Sequence, residues 1–237
     1  MDALDGFEFI STTRSTLKGS RNLSVHDQVK ALVGRIKKDF DLGEHTYSRV
    51  KQVHGDFVVR ADADSNAEDV RVLGEADAIY CTEPGHGLIV MTADCAAVSV
   101  YCTHSRVFGI AHSGWRSTAL DVSARLVEAM CSEGARTQDM HVSLAPCISG
   151  DMYEVGREVA DAICASCGTD EAVTEKAGGK YLLSLPEAIR IQLRRAGICE
   201  SRIEMPRGCT FKDVSDFFSW RRDASRERMI TVAARTE

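Results

Sequence analysis

Leu88-Ile-Val-Met-Thr-Ala-Asp-Cys-Ala-Ala-Val-Ser-Val-Tyr101, followed by Val107-Phe-Gly-Ile-Ala-His-Ser-Gly-Trp-Arg116, is the stretch whose reading decides the fold. Leu88–Met91 and Val98–Tyr101 are short apolar runs of strand length. Between them the chain breaks sharply at Thr92-Ala-Asp-Cys95. Val107–His112 reads as a further strand. From Ser117 to Cys131 the period changes. Leu120, Val127 and Cys131 share one helical face, with Val122, Leu126 and Met130 alongside, and Gly134 is a stop. Strand, break, strand, strand, helix is the pattern of a layered domain that mixes sheets and helices.

The same alternation continues outward. Val25–Phe40 is an expected helix, with apolar residues at Val25, Val29, Leu32, Val33 and Ile36. Phe57-Val-Val and Ala78-Ile-Tyr-Cys are short strands, and 60–75, rich in Asp, Ala and Ser, is a surface loop. Met140–Ala145 is a strand, Tyr153–Cys167 a helix stopped by Gly168, Tyr181-Leu-Leu a strand, and Pro186–Arg195 a helix with proline in its first turn. Met229–Ala234 is a last strand. The expected class is α/β or α+β. With four prolines and no long polar linker, residues 1–237 are expected to form a single domain.

Composition narrows the function classes. A formal charge of −6, from 29 basic and 35 acidic residues, argues against a general nucleic-acid binder. Nothing from Met1 to Thr13 resembles a secretory signal, and no run of apolar residues is long enough to span a bilayer. Nine cysteines, an odd number scattered through apolar segments, fit reduced thiols in a cytoplasmic protein.

Four segments do not read as ordinary packing: Lys51-Gln-Val-His-Gly55, Thr92-Ala-Asp-Cys95, Ala111-His-Ser-Gly-Trp-Arg116, and Leu144-Ala-Pro-Cys-Ile148 with Tyr153-Glu-Val-Gly156. His112 ends a strand just before a helix. Arg116, in the first helical turn, opposes the helix dipole, so either it binds an anion or it serves an ordinary salt bridge. Cys95 lies at a break between strands, where it is either an inert core thiol or a cleft residue. His54 precedes a glycine that allows close approach. Together His54, Cys95 and His112 form a His₂Cys set. Three protein ligands leave a fourth tetrahedral position for water or substrate, which is the arrangement of catalytic zinc. The same residues equally suit a metal-free pair in which His112 is the base for a Cys95 thiolate. Cys164-Ala-Ser-Cys167 has metal-ligand spacing but falls inside a helix, without a second such pair, and reads as core packing. Cys147 either lines the same cleft or packs in the core. Phe217-Phe-Ser-Trp-Arg-Arg-Asp223 is either a base-stacking and anion-binding segment or a loop packing its aromatics.

As a set, Thr13-Arg14, Lys51-Gln-Val-His-Gly55, Ala76-Asp-Ala-Ile79, Thr92-Ala-Asp-Cys95, His112-Ser-Gly-Trp-Arg116, Ala145-Pro-Cys-Ile148 with Tyr153-Glu-Val-Gly156, Cys209-Thr210 and Phe217–Asp223 resemble the multicopper polyphenol oxidase (laccase-like) family. Members of that family are now described as purine nucleoside phosphorylases, and the bacterial peptidoglycan editing factor is among them. The resemblance implies an α/β/β/α sandwich with mixed sheets, similar to the fold of a bacterial toxin deamidase. It implies that His54, Cys95 and His112 are the catalytic, metal-binding residues, with zinc as cofactor and copper as the alternative. It also implies phosphorolysis of adenosine, inosine and methylthioadenosine, with adenosine deamination as a second activity. The partners are then a purine nucleoside and phosphate, with Arg14 and Arg116 as candidate phosphate ligands. Copper-dependent phenol oxidation and a Cys/His amidase activity on cell-wall precursors are the competing readings. The chain departs from the family pattern at Ala96, at Ser113 and Ser117, at Ser184, and at Asn22-Leu23, the remnant of an Asn-rich start.

Overall fold

Ala96–Cys102 crosses the middle of a six-stranded sheet with all seven residues buried. A strand is buried on both faces only where both faces are covered, so its apolar run is continuous rather than alternating. Ala96, Val98, Val100 and Cys102 point into one core cluster, and Ala97 and Tyr101 into another. The two-residue period therefore serves two packing layers at once.

The computed structural model describes residues 6–16, 25–39, 45–62, 70–224 and 226–236. Along them run β1 (Phe7–Ser11), α1 (Val25–Asp39), β2 (Thr46–Lys51), β3 (Val58–Ala61), β4 (Val70–Glu75), β5 (Ala78–Cys81), β6 (His86–Thr92), β7 (Ala96–Cys102) and β8 (Phe108–Ser113). Then come α2 (Trp115–Ala119), α3 (Val122–Ser132), β9 (Met140–Leu144), β10 (Glu154–Val155), α4 (Arg157–Cys167), β11 (Val173–Lys176) and β12 (Lys180–Leu183). The last elements are α5 (Leu185–Arg195), β13 (Ile203–Glu204), α6 (Trp220–Asp223) and β14 (Met229–Arg235).

A five-stranded sheet in the order β1-β14-β6-β2-β4 packs on a six-stranded sheet in the order β13-β9-β7-β8-β5-β3. Leu88 and Val90 of the first meet Ile79, Phe108 and Ile110 of the second. Outside the five-stranded sheet, Val29, Leu32 and Val33 of α1 cover Tyr47, Ile89 and Val232. Outside the six-stranded sheet, Leu126, Val127 and Met130 of α3 and Ile189 and Leu193 of α5 cover Val98, Val100 and Val142. The order helix, sheet, sheet, helix is the expected sandwich, and both large sheets mix parallel and antiparallel pairs. A three-stranded sheet, β10-β12-β11, packs with α4 and α5 around a fourth cluster.

Several expected boundaries are corrected. The helix expected over 117–131 is two helices, broken where Asp121 takes a left-handed conformation at φ 60°. Its apolar period survives the break, which is why the sequence hides it. The helix expected from Tyr153 starts at Arg157, because Glu154 and Val155 pair with β12. The loop expected over 60–75 carries the end of β3 and all of β4, and 63–69 lies outside the described residues, as do Phe40 and Asn22-Leu23. Ser184 caps α5, its hydroxyl accepting the Glu187 N–H at 3.3 Å, which gives this departure from the family pattern a local role.

Candidate metal centre

The chain crosses from the five-stranded to the six-stranded sheet three times in its first half, at the β2–β3, β4–β5 and β6–β7 turns, and two of these crossings, β2–β3 and β6–β7, carry a candidate ligand. His54 lies in the former and Cys95 in the latter. β2 and β6 are parallel neighbours, so both turns leave the same edge. His112 is the penultimate residue of β8, and Ala96 pairs with Ser113, so β8 ends where β7 begins. The topology thus gathers three residues that the sequence separates. Their ligand atoms all lie within 4.8 Å of one another, and the two imidazoles meet edge to face with centroids 4.8 Å apart.

Each turn is pinned by its own polar contacts. Gln52 extends the ladder past β2 with its side chain: its Nε2 donates to the Met91 carbonyl and its Oε1 accepts the Met91 N–H, both at 2.8 Å. His54 itself sits at φ 60°, a left-handed conformation that costs roughly 1–2 kcal/mol for a residue with a side chain. The flanking N–H groups of Val53 and Gly55 donate to Asp77 Oδ2 at 3.1 and 2.6 Å. Asp77 Oδ1 accepts from His112 Nδ1 at 2.7 Å, and the Asp77 carbonyl accepts the His112 N–H at 2.7 Å. At the β6–β7 crossing Asp94 has φ 89°. Its carboxylate accepts from the Thr210 hydroxyl and from the Arg221 N–H, each at 2.7 Å, tying the Cys95 turn to the segment around α6. Gly114 explains the glycine after His112-Ser113: a Cβ there would lie 2.8 Å from Cys95 Sγ and 3.4 Å from His54 Cδ2.

Charge favours a thiolate–imidazolium pair in the metal-free cluster. Burial opposes ionisation of Cys95, but the His112 charge and hydrogen bonds from His112 and His54 outweigh it and bring the thiol down to about 6. Burial likewise disfavours the His112 imidazolium, yet the Cys95 thiolate and Asp77 carry it up to about 9. Asp77 stays below the usual carboxylate range: burial would raise it, and the His112, Gly55 and Val53 hydrogen bonds override that. With Nδ1 committed to a carboxylate, His112 turns Nε2 toward the cluster, the way a carboxylate behind the ring orients metal-binding histidines.

These residues fit a metal. Ligand atoms around tetrahedral zinc lie ~3.3–3.8 Å apart, so donors within 4.8 Å need only small side-chain adjustments. His54 is exposed, Cys95 half-buried and His112 buried, so the cluster runs from the surface into the core.

The other expected residues are placed differently. Arg116 is exposed, stacks on the Trp115 ring at 4.3 Å, and has no carboxylate partner among the described residues. Arg14 pairs with Asp223 at 2.8 Å and lies over Phe218. Arg222 is a structural staple, its guanidinium donating to the Thr210, Phe211 and Phe217 carbonyls and to Asp223. Arg221 covers the Tyr153 ring at 4.8 Å. Burial, with the negative groups Cys95 and Asp94 nearby, pushes the Tyr153 phenol up to about 12. Cys147 and Cys167 pack in the core, and all nine cysteines are free thiols.

Sequence reasoning found the three donors and missed Gln52, Asp77 and Gly114 as their supports. A signal for Asp77 existed. It is a carboxylate in the otherwise apolar run Ala76-Asp-Ala-Ile79, and a buried charge needs a partner.

Fold and site together define a layered α/β protein with an open cluster of two histidines and one cysteine. The chain belongs to the multi-copper polyphenol oxidoreductase laccase family, whose model matches residues 16–236. It is 36% identical over 178 residues to a purine nucleoside phosphorylase of Deinococcus radiodurans, a match covering 75% of this chain and 65%, just under two thirds, of that protein. It is 29% identical over 236 residues to the adenosine deaminase RL5 of an unknown prokaryotic organism, covering 93% of this chain and 90% of that one. The crystal structure of YlmD from Geobacillus stearothermophilus superposes with a TM-score of 0.87 at 25% identity, over 100% of this chain and 94% of that chain. Among the described residues no helix is long and apolar enough to cross a membrane.

Proposed function

We propose that this protein is a metal-dependent purine nucleoside phosphorylase, with zinc the native ion and His54, Cys95 and His112 the catalytic ligands. Its substrates are adenosine, inosine and methylthioadenosine, with adenosine deamination as a second activity. The observation that carries this reading is the three-donor cluster, which reaches the surface at His54 and includes a polarised thiolate. The names of relatives, a purine nucleoside phosphorylase and an adenosine deaminase, support the substrate class. Nine free thiols suit a reducing compartment, and the cytoplasm is the proposed location.

A zinc ion held here supplies Lewis acidity, which lowers the pKa of a water toward ~7 as deamination requires. The chain does the rest. Asp77 fixes the His112 ring with Nε2 forward, and Gly114 leaves room for Cys95. Arg116 offers a planar guanidinium fork for phosphate, set over the Trp115 ring. Arg14 can add to that anion pocket only by sharing its guanidinium with Asp223. In phosphorolysis a phosphate oxygen attacks the sugar's anomeric carbon, the bond to the purine nitrogen breaks, and the base leaves with a proton.

Purified protein incubated with adenosine tests this. Adenine and a pentose 1-phosphate are expected only when phosphate is present, and inosine without it. If neither adenine nor inosine forms, the reading is overturned. A second reading, a metal-free Cys95/His112 amidase-type hydrolase, is favoured by the same thiolate–imidazolium polarisation. His54→Ala separates the two, because only the thiol mechanism survives it. A copper oxidase is disfavoured, since the described residues hold one such cluster. Copper binds N/S sites more tightly than zinc, so the metal content of protein prepared without added copper decides between the ions.

A further inference from the structure

We propose that Asp77 is a positioning residue that sets both histidine ligands at once, so that one buried carboxylate determines whether the site can hold a metal. This rests on the metal reading above. Asp77 is wholly buried, and its two oxygens serve different ligands. Oδ1 takes the Nδ1 proton of His112 at 2.7 Å. Oδ2 takes the N–H groups on either side of His54, from Val53 at 3.1 Å and Gly55 at 2.6 Å, and thereby closes the turn that keeps His54 at φ 60°. Its backbone carbonyl receives the His112 N–H as well. Every group facing the carboxylate is a donor, so the site demands an acceptor on both sides.

That demand makes Asp77→Asn informative. The amide has the carboxylate's shape but only one acceptor. If its oxygen faces Val53 and Gly55, its NH₂ faces His112 Nδ1. Nδ1 must then become the acceptor, the proton moves to Nε2, and the neutral ring can no longer offer Nε2 to a metal. If its oxygen faces His112, the NH₂ meets the two turn N–H groups, the turn opens, and His54 leaves its place. Either orientation removes one histidine from the site, while the shape of the side chain is kept.

The test measures zinc affinity by competition with a chromophoric chelator for the wild type, Asp77→Asn, His54→Ala and the double variant, with thermal melts alongside. Asp77→Asn is expected to weaken zinc binding by ~100-fold, the upper end for a single outer-shell contact, because two ligands depend on it. In the His54→Ala background the loss is expected to shrink, since one of the two contacts no longer serves a ligand. Equal affinity for the wild type and Asp77→Asn overturns the inference. So does full additivity with His54→Ala, which would confine Asp77 to His112. A wild type that binds no zinc overturns instead the metal reading beneath it. Should Asp77→Asn fail to fold, ¹⁵N spectra of the histidine rings in zinc-loaded wild type carry the test. A protonated Nδ1 and a metal-shifted Nε2 on His112 are expected, and the reverse pattern overturns the assignment.

Discussion

At the scale of single residues, the site is a matter of distance and charge. Cys95 and His54 close over Gly114 so tightly that a methyl group would lie 2.8 Å from the sulfur. Gly114→Ala is therefore expected to push Cys95 aside and weaken metal binding by ~10–100-fold, the scale of lost support around a metal ligand, with its main effect on the site rather than on melting temperature. A chelator titration alongside a thermal scan checks this, and unchanged affinity would remove Gly114 from the account. In metal-free protein the Cys95 thiol, lowered to about 6 beside His112, is thiolate at pH 7. Its alkylation should rise between roughly pH 5 and 7 and then level off, where an ordinary thiol of pKa ~8.5 is still gaining. His112→Asn removes the opposing charge and leaves burial to dominate, so the rise moves to higher pH and the rate at pH 7 falls at least ~10-fold. Mass mapping of the Cys95 peptide reads both profiles. If the two proteins react alike, the thiolate–imidazolium pair is absent.

At the scale of elements, α3 approaches β8 closely because Gly109 has no side chain. A Cβ there would meet Leu126 Cδ1 at 2.7 Å and the Ile79 carbonyl at 3.1 Å. Gly109→Ala should cost ~1–3 kcal/mol by overpacking, measurable by urea denaturation, and a smaller change would mean the helix can shift outward freely. This contrast shows what the sequence makes legible. The strands of 88–113 could be read because layers on both sides require unbroken apolar runs, and the break at Thr92–Cys95 could be read because those runs stop. β1 and β2 escaped reading. Phe7-Glu-Phe-Ile-Ser and Thr46-Tyr-Ser-Arg-Val-Lys mix polar residues into short strands, and their places are fixed by distant partners, β14 and β6. The candidate ligands were legible as residue types at chain breaks, but their meeting was not. It depends on two sheet crossings leaving one edge, which no local spacing encodes. Asp77 and Gln52 were hidden for the same reason, since their work lies in contacts 35 and 39 residues away.

At the scale of the whole molecule, two stacked sheets form a frame between helices, and the site lies where the β2–β3 and β6–β7 turns carry the chain from one sheet to the other, with His54 exposed and His112 buried. Because the cores on either side of each sheet share the same strands, we read residues 1–237 as one domain, and a single cooperative transition is expected by both calorimetry and far-ultraviolet dichroism. Separated transitions would divide it. The central claim is that His54, Cys95 and His112 hold one metal ion. Anomalous scattering from crystals grown without added metal, collected above and below the zinc edge, tests it most directly. The account predicts a single zinc peak ~2.0–2.3 Å from one atom of each of the three side chains. A cluster with no peak in protein that nonetheless cleaves adenosine, or a peak bound elsewhere, would contradict it.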